Sequence, residues 1–372
     1  MWRWVVAVAL LAGPCGAWAG DDAPPVAWER AVPGGSGEPR FAPDGACLVV
    51  ATEAEILLLD RAGAVRWQRA SPSRLLHPDA LAVAPDCRWV AAGGDSGYRY
   101  AWLIDAHGTG RRAIATHGTP RTLAFSHDGA QLAIGTAAGR LHLAGVPDGT
   151  VTERRFEPSG AVIEGIAFGD RHLFVTGGLG FIGRLARDGT PDWTWGAQWL
   201  RAVGDRTFDR LLVIDSPPHF SDVDGVALLG GDGKVLWETR LHAAEAVLAI
   251  DGSRAVVKGG PVSDDETQSD VPPVEITLDH DGHELGRRPA EPGVLVALAP
   301  DCRSRITLHV GRFREPGRDR DTLVCRSEAG DVLWRLSDVP LPPTFSPDGR
   351  LMVVHTDRTL RAFAIDAPQA GR

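Results

Sequence analysis

Lysine is nearly missing from this chain: among 39 basic residues, only Lys234 and Lys258 are lysines. The 48 acidic residues leave a formal net charge of −9. Nucleic-acid binding needs a basic face, so no nucleic-acid partner is expected. Long apolar runs are absent too. Beyond the N-terminus no stretch approaches the ~18 apolar residues of a transmembrane helix, so no membrane span is expected. Cysteine is sparse, five in all, and no Cys-x-x-Cys occurs. That spacing would be needed for a thioredoxin-like motif or a common zinc site. No spacing assembles a nucleophile–base pair or a closed metal site, so no catalytic residue, metal or cofactor is expected.

The first residues are read as an address. Arg3 gives a positive start, Val5 to Ala12 are all apolar, Gly13 and Pro14 break the run, and Ala17-Trp18-Ala19 offers small residues at −3 and −1. This is the pattern of a cleaved export signal over residues 1–19, with a single domain over 20–372. Pro14 directly before Cys15 argues against lipidation, which wants a small residue there. An exported, periplasmic or secreted chain sits where disulfides form. Cys47, Cys87, Cys302 and Cys325 allow three connectivities, and buried thiols fit as well.

A turn recurs along the chain: Pro43-Asp44-Gly45, Pro85-Asp86-Cys87, His127-Asp128-Gly129, Pro300-Asp301-Cys302 and Pro347-Asp348-Gly349. Weaker copies stand at Gly169-Asp170, Gly204-Asp205 and Asp251-Gly252. Steps between the aspartates run from 35 to 50 residues, the period of a propeller blade. Each unit places a short apolar strand before the turn (Leu81 to Ala84, Thr122 to Phe125) and a second after it (Cys47 to Ala51, Leu132 to Thr136). A third follows a polar or Gly-rich gap (Ile56 to Leu59, Phe181 to Ala186), and a fourth follows an Asp/Gly hairpin. Continuous apolar runs in the central strands fit a sheet covered on both faces. The fourth strand carries Trp67, Trp193, Trp237 or Trp334 shortly after Gly63, Gly189, Gly233 or Gly330, an indole placed to fill the wedge between blades.

The last unit shows only three strands, and Val26-Ala27-Trp28-Glu29-Arg30 reads as an isolated fourth. Pairing the two would close a ring of eight four-stranded blades and remove its edges. Seven blades is the alternative, because three of the turns are degenerate. The fold class is therefore all-β, a single β-propeller.

The segments Asp232-Gly233-Lys234-Val235-Leu236-Trp237-Glu238 and Ala329-Gly330-Asp331-Val332-Leu333-Trp334 resemble the tryptophan-bearing repeat of quinoprotein-like (PQQ-repeat) propellers. Phe345-Ser346-Pro347-Asp348-Gly349-Arg350-Leu351 and Phe125-Ser126-His127-Asp128-Gly129 resemble the turn of WD40-like bacterial propellers. The resemblance spans nearly the whole chain after the leader and implies the fold. It implies less about function: the quinoprotein-like group holds dehydrogenases and also periplasmic non-enzymatic members, such as outer-membrane assembly lipoproteins of the BamB type. The dehydrogenases are longer and carry adjacent cysteines over the cofactor. This chain has neither, so PQQ is not carried across.

Several segments invite chemistry. Gly94-Asp95-Ser96-Gly97 resembles a serine-protease nucleophile segment, but no histidine base is marked and two strands must connect there. Asp279-His280-Asp281-Gly282-His283-Glu284 crowds possible metal ligands into a place where blade 6 needs its outer hairpin. Trp193, Trp195 and Trp199 straddle blades 4 and 5 and are read as wedge and core. The gaps between second and third strands are the longest: Asp95 to Tyr100 in blade 2, Ser216 to Asp222 in blade 5, Asp264 to Asp270 in blade 6, and the arginine-rich stretch in blade 7. Equivalent gaps open on one face, and long loops on a rigid scaffold are where binding concentrates. The candidate binding residues are Tyr98, Tyr100, His219, Phe220, Asp264, Asp265, Arg312, Arg314 and Arg318. The expected function is a monomeric, non-enzymatic scaffold for a protein or peptide partner. The alternative is an enzyme, a hydrolase, lyase or oxidoreductase, with its site in the central funnel.

Overall fold

The computed structural model describes residues 23–365, apart from 33–37, 53–54, 72–75, 95–98, 106, 108–109, 147, 156–160, 179, 197–199, 205–208, 216–222, 250, 262–271, 300–303, 310–320, 338, 340–342 and 357. The proposed leader and Cys15 lie outside these residues, as do Cys302, Trp199 and the Asp95-Ser96-Gly97 segment.

The described residues form strands and turns and no helix. Blade 1 is built from Arg40–Phe41, Cys47–Ala51, Glu55–Asp60 and Val65–Ala70, each hydrogen-bonded antiparallel to the next. Blade 2 runs Leu76–Val83, Trp89–Gly94, Tyr100–Asp105 and Arg111–Ala115. Blade 3 runs Pro120–Phe125, Gln131–Thr136, Arg140–Gly145 and Val151–Arg155; blade 4 runs Ile163–Phe168, His172–Gly177, Phe181–Ala186 and Pro191–Gly196. Blade 7 runs Val294–Leu298, Arg305–His309, Thr322–Arg326 and Val332–Ser337. Blade 8 takes Thr344–Phe345, Leu351–Thr356 and Thr359–Ala364 from the end of the chain and Val26–Ala31 from its start. The N-terminal strand pairs antiparallel with Thr359–Ala364, Trp28 opposite Ala362 and Ala31 opposite Thr359. The ring of eight is thus closed by its own first strand.

Blades 5 and 6 share one element. Blade 5 has Leu200–Gly204, Arg210–Asp215 and Val223–Gly230, and blade 6 has Arg254–Pro261, Val274–Asp279 and Glu284–Pro289. Between them Val235–Leu248 serves as the fourth strand of one and the first of the other. No Gly or Pro interrupts that run, so nothing stops the strand. A bulge between His242 and Glu245 re-aims it toward the next blade.

The core lies between blades rather than within one. Eight apolar clusters each join two neighbours, from blades 1 and 2 round to blades 8 and 1. Among the described residues the cluster between blades 6 and 7 is small, with Val247, Ala249, Val256, Leu295 and Leu298 buried. Buried charge supplements it. Glu275 accepts from Arg288 Nε at 2.8 Å and lies 2.5 Å from Arg305 Nε. Lys258 donates to the Gly293 carbonyl and pairs with Glu245 at 3.4 Å, and Glu245 in turn accepts the Leu295 amide at 2.8 Å.

The repeated turn has one geometry. The amides of Gly45, Cys87, Gly129, Gly252 and Gly349 each donate three residues back, at 2.8–2.9 Å. The turn aspartates Asp44, Asp86, Asp128, Asp251 and Asp348 accept the amide two residues on, at 2.9–3.2 Å. Cys87 holds the glycine position with φ of 57° and is bonded to Cys47 of blade 1, the Cα atoms 6.2 Å apart. Cys325 is buried in the third strand of blade 7.

The indoles are wedges, as expected, and the structure adds what they rest on. Trp28 of blade 8 lies over Gly63 of blade 1 and donates to the Arg61 carbonyl at 2.9 Å. Trp193 of blade 4 lies over Gly233 of blade 5 and donates to the Gly231 carbonyl at 3.1 Å. A Cβ on Gly63 would stand 2.5 Å from the Trp28 ring, and its φ of 80° disfavours a side chain as well. Trp195 is half-buried in the same cluster as Trp193.

Arginines clasp adjacent blades on the turn-bearing face: Arg61 reaches Asp348 at 2.6 Å and Arg187 reaches Asp128 at 2.5 Å. The Ser126 hydroxyl, opposed by burial and joined by Arg187 and the Ala130 amide, lowers Asp128 to about 2. A depressed carboxylate adds stability that is complete above its unfolded pKa of about 4 and is lost as pH falls through the folded value. Asp128→Asn should therefore lower the melting temperature at pH 6, with a gap to the wild type that shrinks between pH 4 and pH 2. Thermal unfolding across that window checks it; a gap independent of pH would contradict the assignment.

Candidate functional site

The two faces of the ring differ by construction. In every blade the chain crosses from second to third strand on one face and from first to second on the other, and in blades 1 to 7 it also crosses from third to fourth on that other face. The strand ends at Gly94 and Tyr100, Asp215 and Val223, Pro261 and Val274, and His309 and Thr322 therefore share one face. Those are the ends that flank the four long gaps. Of the predicted residues only Tyr100 is described. Tyr98, His219, Phe220, Asp264, Asp265, Arg312, Arg314 and Arg318 lie outside the described residues.

Tyr100 opens the third strand of blade 2 and is 46% exposed. The strand alternates, so Tyr100 and Trp102 share one side while Ala101 and Leu103 are buried on the other. The Tyr100 and Trp102 rings stack with centroids 6.3 Å apart. Trp102 packs on the core between blades 1 and 2. The Arg111 guanidinium stands 4.6 Å from the Trp102 ring centroid, an interaction of about 0.5–1 kcal/mol. An exposed aromatic is thereby seated on a rigid, cation-capped base.

A second group on this face went unforeseen. His117 lies in the crossing from blade 2 to blade 3, His142 on the third strand of blade 3, and Glu153 on its fourth. Register pairs His142 with Glu153. His117 Nδ1 is 2.5 Å from Glu153 Oε2, and His142 Nδ1 is 3.8 Å from the same oxygen. The His117 amide donates to His142 Nε2 at 3.1 Å, and the two rings stack at 6.1 Å. Arg140 holds the other carboxylate oxygen at 3.0 Å. His142 is buried, and burial outweighs the Glu153 charge to lower its pKa. These residues stand far apart in sequence, and only a strand register assigned in advance would have paired His142 with Glu153.

The Asp279–His283 segment is the outer hairpin of blade 6, as expected. Asp279 Oδ1 accepts the amides of Asp281 and His283 at 2.9 and 2.8 Å, and Oδ2 meets His283 Nδ1 at 3.1 Å. The carboxylate thus ties the turn together, and the ligand atoms of Asp279, Asp281 and His283 also lie within 4.8 Å of one another. Nearer the ring axis, where first strands of adjacent blades pack together, Glu164 stands on the first strand of blade 4. Burial pushes its carboxyl up against the opposing pull of Arg121.

No family model matches the sequence, and no curated protein matches it. Among solved structures, BamB from Moraxella catarrhalis superposes with a TM-score of 0.63 at 11% identity, covering 92% of this chain and 99% of that one. The Cps50 (Swd1) β-propeller domain of Myceliophteria thermophila gives 0.56 at 10% identity, with coverage of 92% and 99%. At these identities the likeness is one of fold, and it agrees with the propeller described above.

Proposed function

We propose that this chain is an exported, non-enzymatic β-propeller scaffold that binds a protein or peptide through the loops between second and third strands of blades 2, 5, 6 and 7. The observation that carries the reading is the shared face of those strand ends, with Tyr100 exposed on it over Trp102 and Arg111. Rigid aromatics seated beside arginine are the residue types that dominate protein interfaces. The acidic loop of blade 6 and the arginine-rich loop of blade 7 supply both charge signs. The Cys47–Cys87 bond fits an oxidising compartment, in keeping with the leader over residues 1–19. Tyr100→Ala should leave the melting temperature nearly unchanged and weaken affinity for the captured partner by about thirtyfold, a hot-spot loss of ~2 kcal/mol. Undiminished capture would count against this face.

The raised carboxyl of Glu164 near the axis favours a second reading, an enzyme of the central funnel, since an acid catalyst needs such a group. Turnover of a hydrolase or lyase substrate that Glu164→Gln abolishes would move the assignment there.

A further inference from the structure

We propose that His117, His142 and Glu153 bind one borderline divalent cation, of the zinc, copper or nickel kind, on the loop-bearing face of blade 3. The site would take its ion with or without a protein partner on the same face. One ligand atom from each residue lies within 4.8 Å of the other two. Two imidazoles and one carboxylate oxygen form the donor set such ions prefer over calcium or magnesium.

The three residues come from three elements that the fold brings together: His142 and Glu153 are fixed on paired strands, and His117 lies in a crossing that can adjust. His142 is 2% exposed and cannot swing away. His117 has a side chain 74% exposed, which leaves the outer side of the group open to solvent. Three protein ligands with one open position distinguish such a site from a closed structural one. Ligands about 2.0–2.1 Å from a tetrahedral ion stand roughly 3.3 Å apart. The 3.8 Å separation of His142 Nδ1 and Glu153 Oε2 is close to that. The 2.5 Å contact of His117 with the same oxygen is a hydrogen bond that must lengthen, and the exposed ring is free to do so. Arg140 holds Oε1 and leaves Oε2 for the ion. It orients the ligand in the manner of outer-shell partners, while its charge moderates the affinity.

The His117 amide donates to His142 Nε2, so the neutral His142 ring carries its proton on Nδ1, facing Glu153. An ion at Nδ1 sends that proton to Nε2, where it opposes the amide donor. Binding must therefore break the amide contact and shift residues 116–119 between blades 2 and 3.

The test uses the untagged full chain stripped with chelator, titrated with Co²⁺ by absorbance and with Zn²⁺ by calorimetry. Hydrogen exchange is followed at residues 116–119. One equivalent is expected to bind, with faster exchange at 116–119. His117→Ala, a surface change that spares the fold, should weaken binding by at least about tenfold. His283→Ala, in the blade 6 hairpin, should leave it unchanged. No stoichiometric binding, full binding by His117→Ala, or binding lost in His283→Ala would overturn the site.

Discussion

A chain that begins after Ala31 should fail to close its ring. Blade 8 would keep three strands, and Thr359–Ala364 would become an unpaired edge. Exposed edges template association, so the shortened chain should elute as aggregate or dimer and lose its cooperative melt. More than a ladder goes with the strand. Trp28 seals the wedge over Gly63 and bonds the Arg61 carbonyl, Arg30 Nε donates to the Gly63 carbonyl at 2.5 Å, and Glu29 pairs with Arg361 at 2.9 Å. Trp28→Ala separates the wedge from the ladder. It should keep eight blades and a monomeric elution while losing about 3 kcal/mol in denaturant unfolding. A shortened chain that melts like the full one would show that the ring closes without its first strand.

Loss of the Cys47–Cys87 bond should cost nearly as much. The bond closes a loop of 40 residues, for which chain entropy gives about 4 kcal/mol. Cys47→Ala should lower stability by that order. It also leaves Cys87 at a φ of 57° with nothing to offset a cost of about 1–2 kcal/mol for a side chain there. Adding Cys87→Gly to Cys47→Ala should then recover about 1 kcal/mol, because Gly45, Gly129 and Gly349 hold the same turn position freely. Adding Cys87→Ala should recover none. Equal stability of the two double variants, by denaturant unfolding under oxidising and reducing conditions, would show that the turn carries no strain.

Much of the fold was legible because a repeat states its rules several times. The Asp-Gly turn, the apolar second strand and the hairpin glycine before a tryptophan each recur, and one clear copy explains the degenerate ones. The closing strand was legible because the last unit lacked a partner that the first residues could supply. The continuous strand Val235–Leu248 was not, since a search for blades looks for breaks and this junction has none. The disulfide was hidden for another reason. Cys87 stands where a glycine belongs, and nothing in a period shows which neighbour it faces. The His117–His142–Glu153 group depends on a register and a crossing loop, and neither leaves a mark in spacing. Tyr100 was found because a long gap and a scarce aromatic coincide, whereas its support by Trp102 and Arg111 follows from strand alternation and cross-strand neighbours.

Binding through one face can be measured directly by photo-crosslinking. A photo-crosslinking residue would be placed at Tyr100 or at His117 on the loop-bearing face, and at Lys234 on the opposite face, whose side chain is 82% exposed. Each chain would be irradiated in the producing cell. A single shared adduct from Tyr100 and His117, absent from Lys234, is the expected result. An adduct from Lys234 alone, or equal adducts from all three, would contradict a binding face formed by the second-to-third-strand loops.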